Sequence, residues 1–151
     1  KATYHDPCYL GRYNGIYDDP RDVMELCGID LVEMPRNKEN SFCCGAGGGR
    51  VWLPDHDDMT QRPSENRIEE AVAVGVNNFT VACPKDMTMY ADAAKTSGNE
   101  DNMAVKDIID FVLEAMDLPE EVEEPEPIAE EVVPVENTSE SIDKNVSGDE
   151  E

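Results

Sequence analysis

The sequence predicts an α/β fold: a parallel sheet flanked by helices, followed by a disordered acidic tail. Three observations predict it. Strand-like apolar stretches alternate with stretches of helical spacing along residues 1–117, the pattern that lays strands side by side in parallel and covers them with helices. Two of these stretches run directly into Asp6-Pro7-Cys8 and Cys83-Pro84, so each strand ends at a turn bearing a cysteine. After residue 117 the composition changes abruptly.

The elements follow in order. Residues 1–5 (KATYH) form a short strand. Asp18 or Asp19 is placed to cap a helix with Pro20 at its first position, Val23, Leu26 and Cys27 along its apolar side and Gly28 as its stop. Residues 29–34 (IDLVEM) read as a second strand. The loop PRNKENSFCCGAGGGR is too rich in glycine for the interior of an element. Residues 64–74 form a helix with Ile68, Ala71, Val72 and Val74 inward, and Gly75 stops it. Residues 78–82 form a third strand. A helix follows from Cys83-Pro84 to about Lys95, then a fourth short strand over 103–105. The final helix covers about 107–117, with Ile108, Ile109, Val112 and Leu113 inward.

Charge sets the partner class. The chain carries 35 acidic and 12 basic residues, a net charge of −23. Neutralising phosphate is the main source of nucleic-acid affinity, so nucleic acid is excluded as a partner. No apolar run approaches the ~18 residues of a membrane span, and no signal peptide opens the sequence. The chain begins at Lys1, not Met, and reads as a piece of a longer protein. Residues 118–151 hold 13 acidic residues, one lysine, four prolines and no aromatic residue. Such a segment buries too little apolar surface to offset the ~1–2 kcal/mol per residue of backbone ordering. Two units are therefore expected, a folded body over 1–117 and the tail over 118–151. The acidity suits a salt-rich, cytoplasmic setting.

Five cysteines remain to be placed: Cys8, Cys27, Cys43, Cys44 and Cys83. With no sign of secretion, they point to metal or redox work, not to a disulfide framework. Cys27 lies on the apolar side of its helix and reads as a small core residue. The other four sit at loops or helix starts beside Pro or Gly. Adjacent side chains diverge in extended backbone, so Cys43 and Cys44 can reach two irons of one cluster. Gly45 and Gly47 let the backbone approach an inorganic core, and their N–H groups can donate to sulfide as anion-binding nests do. Cys83 opens a helix whose dipole favours its thiolate. On the residues alone a metal or iron–sulfur site leads, with unliganded buried thiols and a redox-active thiol pair as alternatives. A phosphate-binding loop is excluded, because Arg50-Val51-Trp52 follows the glycines where a Lys and a Ser or Thr are required.

The spacing is Cys8, 34 residues, the Cys43-Cys44 pair, 38 residues, then Cys83-Pro84. This pattern resembles the cysteine-rich CCG domain of heterodisulfide reductase subunits and related iron–sulfur oxidoreductases. The strings HDPCYLGRYNGIYDDPR, EMPRN, SFCCGAGGGR and ACPKDMTM are similar to the second such domain of the membrane-associated members. The resemblance covers about residues 1–117, and the acidity suits a haloarchaeal source. It implies an α/β domain whose cysteines bind an iron–sulfur cluster, a [4Fe-4S] cluster of non-cubane form in some members, or alternatively zinc. It also implies electron transfer between a redox donor and a disulfide, a quinone or a flavoprotein such as electron-transfer flavoprotein. An upstream ferredoxin-like region and a first CCG domain, or a separate redox subunit, would complete the protein at the inner face of the membrane. The implied ligands are Cys8, Cys43, Cys44 and Cys83.

The sequence departs from the family at one corner. The family pattern ends Cys-Pro-x-Cys, whereas this chain reads Cys83-Pro84-Lys85-Asp86. A carboxylate is a harder iron ligand than a thiolate, so Asp86 as a metal ligand implies an altered potential and a more labile iron. Its other reading is as the third residue of the helix, where a carboxylate favours the helix start. His5 reads as a strand-end packing residue or as a hydrogen-bond donor behind the site, and His56 as solvated. Arg12 and Arg50 flank the cysteine loops. Trp52, Met87 and Met89 are expected in the core.

Overall fold

In the computed structural model, which describes residues 1–55 and 58–116, three strands form one parallel sheet. They are β1 (Ala2–Tyr4), β2 (Asn78–Val81) and β3 (Ala104–Asp107), in the order β1-β2-β3. Tyr4 registers with Thr80, and Val81 with Asp107, so the carboxyl ends of the strands lie close to level. All of β1 and the last three residues of β2 are buried, as expected of parallel strands covered on both faces. The predicted tail, its boundary after residue 117, and His56 lie outside the described residues.

Four helices accompany the sheet: α1 (Asp18–Leu26), α2 (Pro63–Ala73), α3 (Pro84–Thr96) and α4 (Ile108–Ala115). Alternation along β2 sends Phe79 and Val81 into a core with Ile68 and Ala71 of α2 and Tyr90 and Ala93 of α3. A second core gathers Ala2 and Tyr4 of β1, Met24 of α1 and Phe111 of α4. The expected proline-led start at Pro84 opens α3, and Pro63, one residue before the expected start, opens α2. The fourth strand runs to Asp107, because that residue caps α4: its carboxylate accepts from the Ile109 N–H, and Asp110 accepts from the Asp107 N–H.

The structure corrects several expectations. Residues 29–34 do not form a strand. They meet β1 through one parallel bridge, Ala2 with Leu31, in which Asp30 O accepts from Ala2 N and Val32 N donates to Ala2 O. Pairing ends there because Glu33 is drawn outward to Arg21 and Pro35 has no N–H to continue a ladder. Helix α1 starts at Asp18 with Tyr17 as its cap, which puts Pro20 inside the first turn. Pro20 and Met24, four residues apart, then form its buried face, while Leu26 is 87% exposed. In α4, Phe111 is the buried anchor, with Ile109 and Leu113 about half exposed. The apolar band of this helix is wider than the surface that covers it.

Candidate metal centre at the strand ends

The ends of β1 and β2 each deliver one part of the site. Beyond β1 the chain passes His5, Asp6 and Pro7 to Cys8, which opens a π-helical turn over Tyr9–Tyr13. The sequence pattern gives no sign of this turn. Beyond β2 the chain reaches Cys83, the cap residue of α3. The Cys43-Cys44 pair arrives from the long loop between them. Cys8, Cys43, Cys44 and Asp86 line one cavity of about 30 Å³, with His5 and Arg12 in the same wall. Cys83 does not line it, but its thiol faces the Asp86 carboxyl, as does that of Cys44. Cys27 lies apart, half-buried against the Met24–Phe111 core, as expected of a packing residue.

Backbone geometry prepares the sulfurs. The Gly45 N–H donates to Cys43 Sγ at 3.3 Å, and the Ala46 N–H to Cys44 Sγ at 3.5 Å. Gly45 has φ +86°, which lets the chain turn its N–H back toward the preceding thiol. These N–H donors favour charge on sulfur. Burial acts in the opposite sense and is the larger effect at Cys44, whose thiol is pushed well above the usual range, further still by Asp86.

Asp86 is 3% exposed. Burial raises its carboxyl above the ordinary value, while the thiols of Cys44 and Cys83 pull it partly back. None of these contacts satisfies Oδ2, which is buried without a hydrogen-bond partner. His5 Nε2 stands 3.6 Å away, too long for a hydrogen bond. His5 is held neutral, its pKa lowered to about 3 by burial, with Arg67 adding to the effect. The Tyr90 hydroxyl lies 3.3 Å from the His5 ring nitrogens, and the two rings meet edge to face. The helix-start reading of Asp86 is realised in position, since it is the third residue of α3. Its side chain points into the cysteine site all the same.

The donor set suits an iron–sulfur group: soft thiols, backbone N–H groups aimed at sulfur, and an unsatisfied carboxylate oxygen beside two of the thiols. Among the described residues, no three His, Cys, Asp or Glu side chains are grouped as ligands of a single ion.

Several contributors were missed by sequence reasoning. Asp6 and Ser41 are buried in the wall of the site. Tyr90 stands four residues after Asp86, a helical spacing that was available as a signal. Trp52 was expected in the core and is 78% exposed, because the short helical turn that carries it, Arg50–Trp52, leaves the ring outside. Met87 and Met89 are half-buried against the larger core, as expected. Arg12 donates to Ser41 O at 3.0 Å. Arg50 turns away to Pro54 O and lines a larger groove of about 770 Å³ that meets the site at Cys43. Gly45 and Gly47 line that groove as well.

Several known proteins are similar in sequence to this chain. Three curated relatives illustrate the range. "Probable iron-sulfur-binding oxidoreductase FadF" of Bacillus subtilis is 38% identical over 115 residues, 76% of this chain and 16% of that protein. "EtfAB:quinone oxidoreductase" of Syntrophomonas wolfei is 37% identical over 122 residues, 78% of this chain and 17% of that protein. One subunit of the dihydromethanophenazine:CoB--CoM heterodisulfide reductase of Methanosarcina mazei is 39% identical over 122 residues, 78% of this chain and 28% of that protein. The chain thus spans well under a third of the length of these relatives. No solved structure matches it. The model of the CCG cysteine-rich domain matches residues 2–88, and the chain belongs to that family.

Proposed function

We propose that this chain is the iron–sulfur electron-transfer module of a heterodisulfide-reductase-like oxidoreductase. Cys8, Cys43, Cys44 and Cys83, with Asp86 as a fifth donor, hold an iron–sulfur cluster of the [4Fe-4S] class, cubane or non-cubane. The observation that carries the reading is the shared cavity of Cys8, Cys43, Cys44 and Asp86 at the carboxyl ends of β1 and β2. In open parallel sheets this is the usual place for a site. When bound, such a group accepts and releases single electrons at a potential set by its ligands and surroundings.

The chain's own residues do the rest. The Gly45 and Ala46 N–H groups stabilise charge on Cys43 and Cys44. The buried His5–Tyr90 pair keeps water from the inner side of Asp86. Arg12 brings positive charge to the wall of the site. The carboxylate of Asp86 makes its corner harder and more readily lost than a thiolate corner.

The remainder of the function lies with other parts of a longer protein. The names of the relatives support a disulfide, a quinone or a flavoprotein as the exchange partner. A ferredoxin-like region and a first CCG domain upstream, or a separate redox subunit, would carry electrons to this site from the cytoplasmic face of a membrane. Among the described residues, no helix is long and apolar enough to cross one.

The test is anaerobic reconstitution with ferrous iron and sulfide. The expected result is about four irons per chain with broad visible absorption. One zinc per chain and no visible band would replace this reading with a structural zinc site, and no metal at all would defeat both. Asp86→Ala should lower the iron content and shift the spectrum; unchanged iron and spectrum would strike Asp86 from the ligand set.

A further inference from the structure

We propose that Asp6 is the positioning residue of the thiol site, the clasp that sets the Cys8 strand end against the loop carrying Cys43 and Cys44. The inference rests on the reading of these cysteines as one ligand set. Its geometry is independent of that reading.

The loop needs a clasp. Between Met34 and Pro63 it contains only two short helical turns, Lys38–Asn40 and Arg50–Trp52, and no strand among the described residues. Regular hydrogen bonding therefore cannot fix the height of the cysteine pair over the sheet. Asp6 supplies the missing bonds from both its carboxylate and its carbonyl. Its Oδ2 accepts from the Lys38 N–H at 2.7 Å, and its main-chain oxygen accepts from Ser41 Oγ at 3.1 Å. Lys38 has φ +50°, a left-handed backbone uncommon outside glycine, and it occurs at the residue whose N–H Asp6 holds.

Asp6 is itself immobilised. The Arg21 guanidinium grips both carboxylate oxygens, at 2.7 and 3.0 Å, in the planar fork geometry that lysine cannot reproduce. Arg21 also donates to Glu33 and to Tyr17 O, which anchors the clasp to α1 and to the segment beside β1. Only Pro7 separates Asp6 from Cys8, so the residue that holds the loop also ends the strand that delivers the first thiol. Asp6 thus joins two parts of the site that are 35 residues apart in sequence.

The test reads thiol proximity without metal. Phenylarsine oxide joins two close thiols through two new As–S bonds. Its oxygen leaves as water with both thiol protons, and arsenic stays trivalent. In the reduced, metal-free chain, one equivalent should capture Cys8 together with Cys43 or Cys44, as mapped by the masses of the joined peptides. Asp6→Asn should cut this cross-loop product at least tenfold and leave arsenic on the Cys43-Cys44 pair. Ser41→Ala leaves the Arg21 grip intact and decides the matter if Asp6→Asn fails to fold. It should cut the product about threefold in a chain that remains folded at the assay temperature, as checked by circular dichroism.

A wild-type yield of the cross-loop product in either folded variant would overturn the proposal, as would its absence from the wild-type chain. Iron reconstitution on the same samples separates the two readings. A wild-type chain that gives the cross-loop product but takes up no iron refutes the iron–sulfur reading and leaves the clasp standing.

Discussion

At Gly11 the local packing leaves no room for a side chain. A Cβ there would lie 2.7 Å from Cε1 of Tyr17, inside the π-helical turn that follows Cys8. Gly11→Ala should therefore destabilise the chain by roughly 1–3 kcal/mol through overpacking, as read by urea unfolding. The same substitution in a Tyr17→Ala background should cost much less. A second residue, Glu70, governs part of the acid response. Burial would raise its carboxyl, but hydrogen bonds from Arg36 and Arg67 outweigh this and hold it below the ordinary 4.5. Native Glu70 then binds fewer protons than the unfolded chain. Its contribution to stability is complete above pH 4.5 and is lost as pH falls through the lowered native value. Unfolding free energy measured from pH 6 to 3 should therefore fall less steeply in Glu70→Gln than in the parent, and an equal slope would refute this assignment.

At the scale of elements, α4 separates a pattern from a packed face. Its apolar residues suggested Ile109 and Leu113 as inward, yet Phe111 fills the core beside Met24 and Tyr4. Phe111→Ala should cost roughly 3–5 kcal/mol, whereas Leu113→Ala should stay within about 0.5 kcal/mol. Denaturant titration of the two variants distinguishes them directly, and the reverse order would restore the face read from periodicity. The loop before α2 shows a different economy. Arg36 donates to Glu70 through both its main chain and its side chain and lies over the Phe42 ring at 4.1 Å, one residue before Cys43. Side-chain bonds of this kind hold the cysteine pair where strand or helix bonds are absent.

Over the whole molecule the balance of charge dominates. Acidic residues outnumber basic ones by 23, and many of the cations are already committed, Arg21 to Asp6 and Glu33, Arg62 to Glu65 and Asp92. Adding salt shortens the screening length from ~10 Å at 0.1 M to ~3 Å at 1 M. Screening weakens exposed pairs as well as repulsion, but the acidic excess is the larger population. The thermal midpoint should therefore rise between these salt concentrations, as followed by circular dichroism; a flat or falling midpoint would show that the ion pairs prevail.

The amino-acid sequence by itself determined the α/β class, the parallel order of strand and helix, the four separated cysteines and the acidic excess. Each of these is carried by residue type and spacing along the chain: Cys8 and Cys83 just past strand ends, Pro84 at a helix start, Ile68 and Ala71 at helical spacing. The sequence pattern also suggested a strand over 29–34 and inward roles for Leu26 and Ile109, and residue type suggested a core place for Trp52. The strand stops at a single bridge because Glu33 turns to Arg21 and Pro35 has no N–H, and the inward roles failed because a pattern records which residues are apolar, not how much neighbouring surface exists to cover them. Only the tertiary structure decided which faces are buried, that Cys8, Cys43 and Cys44 meet Asp86 in one cavity, and that Asp6 links the strand end to the loop. These outcomes depend on contacts between residues far apart along the chain, and no local window of sequence contains both partners.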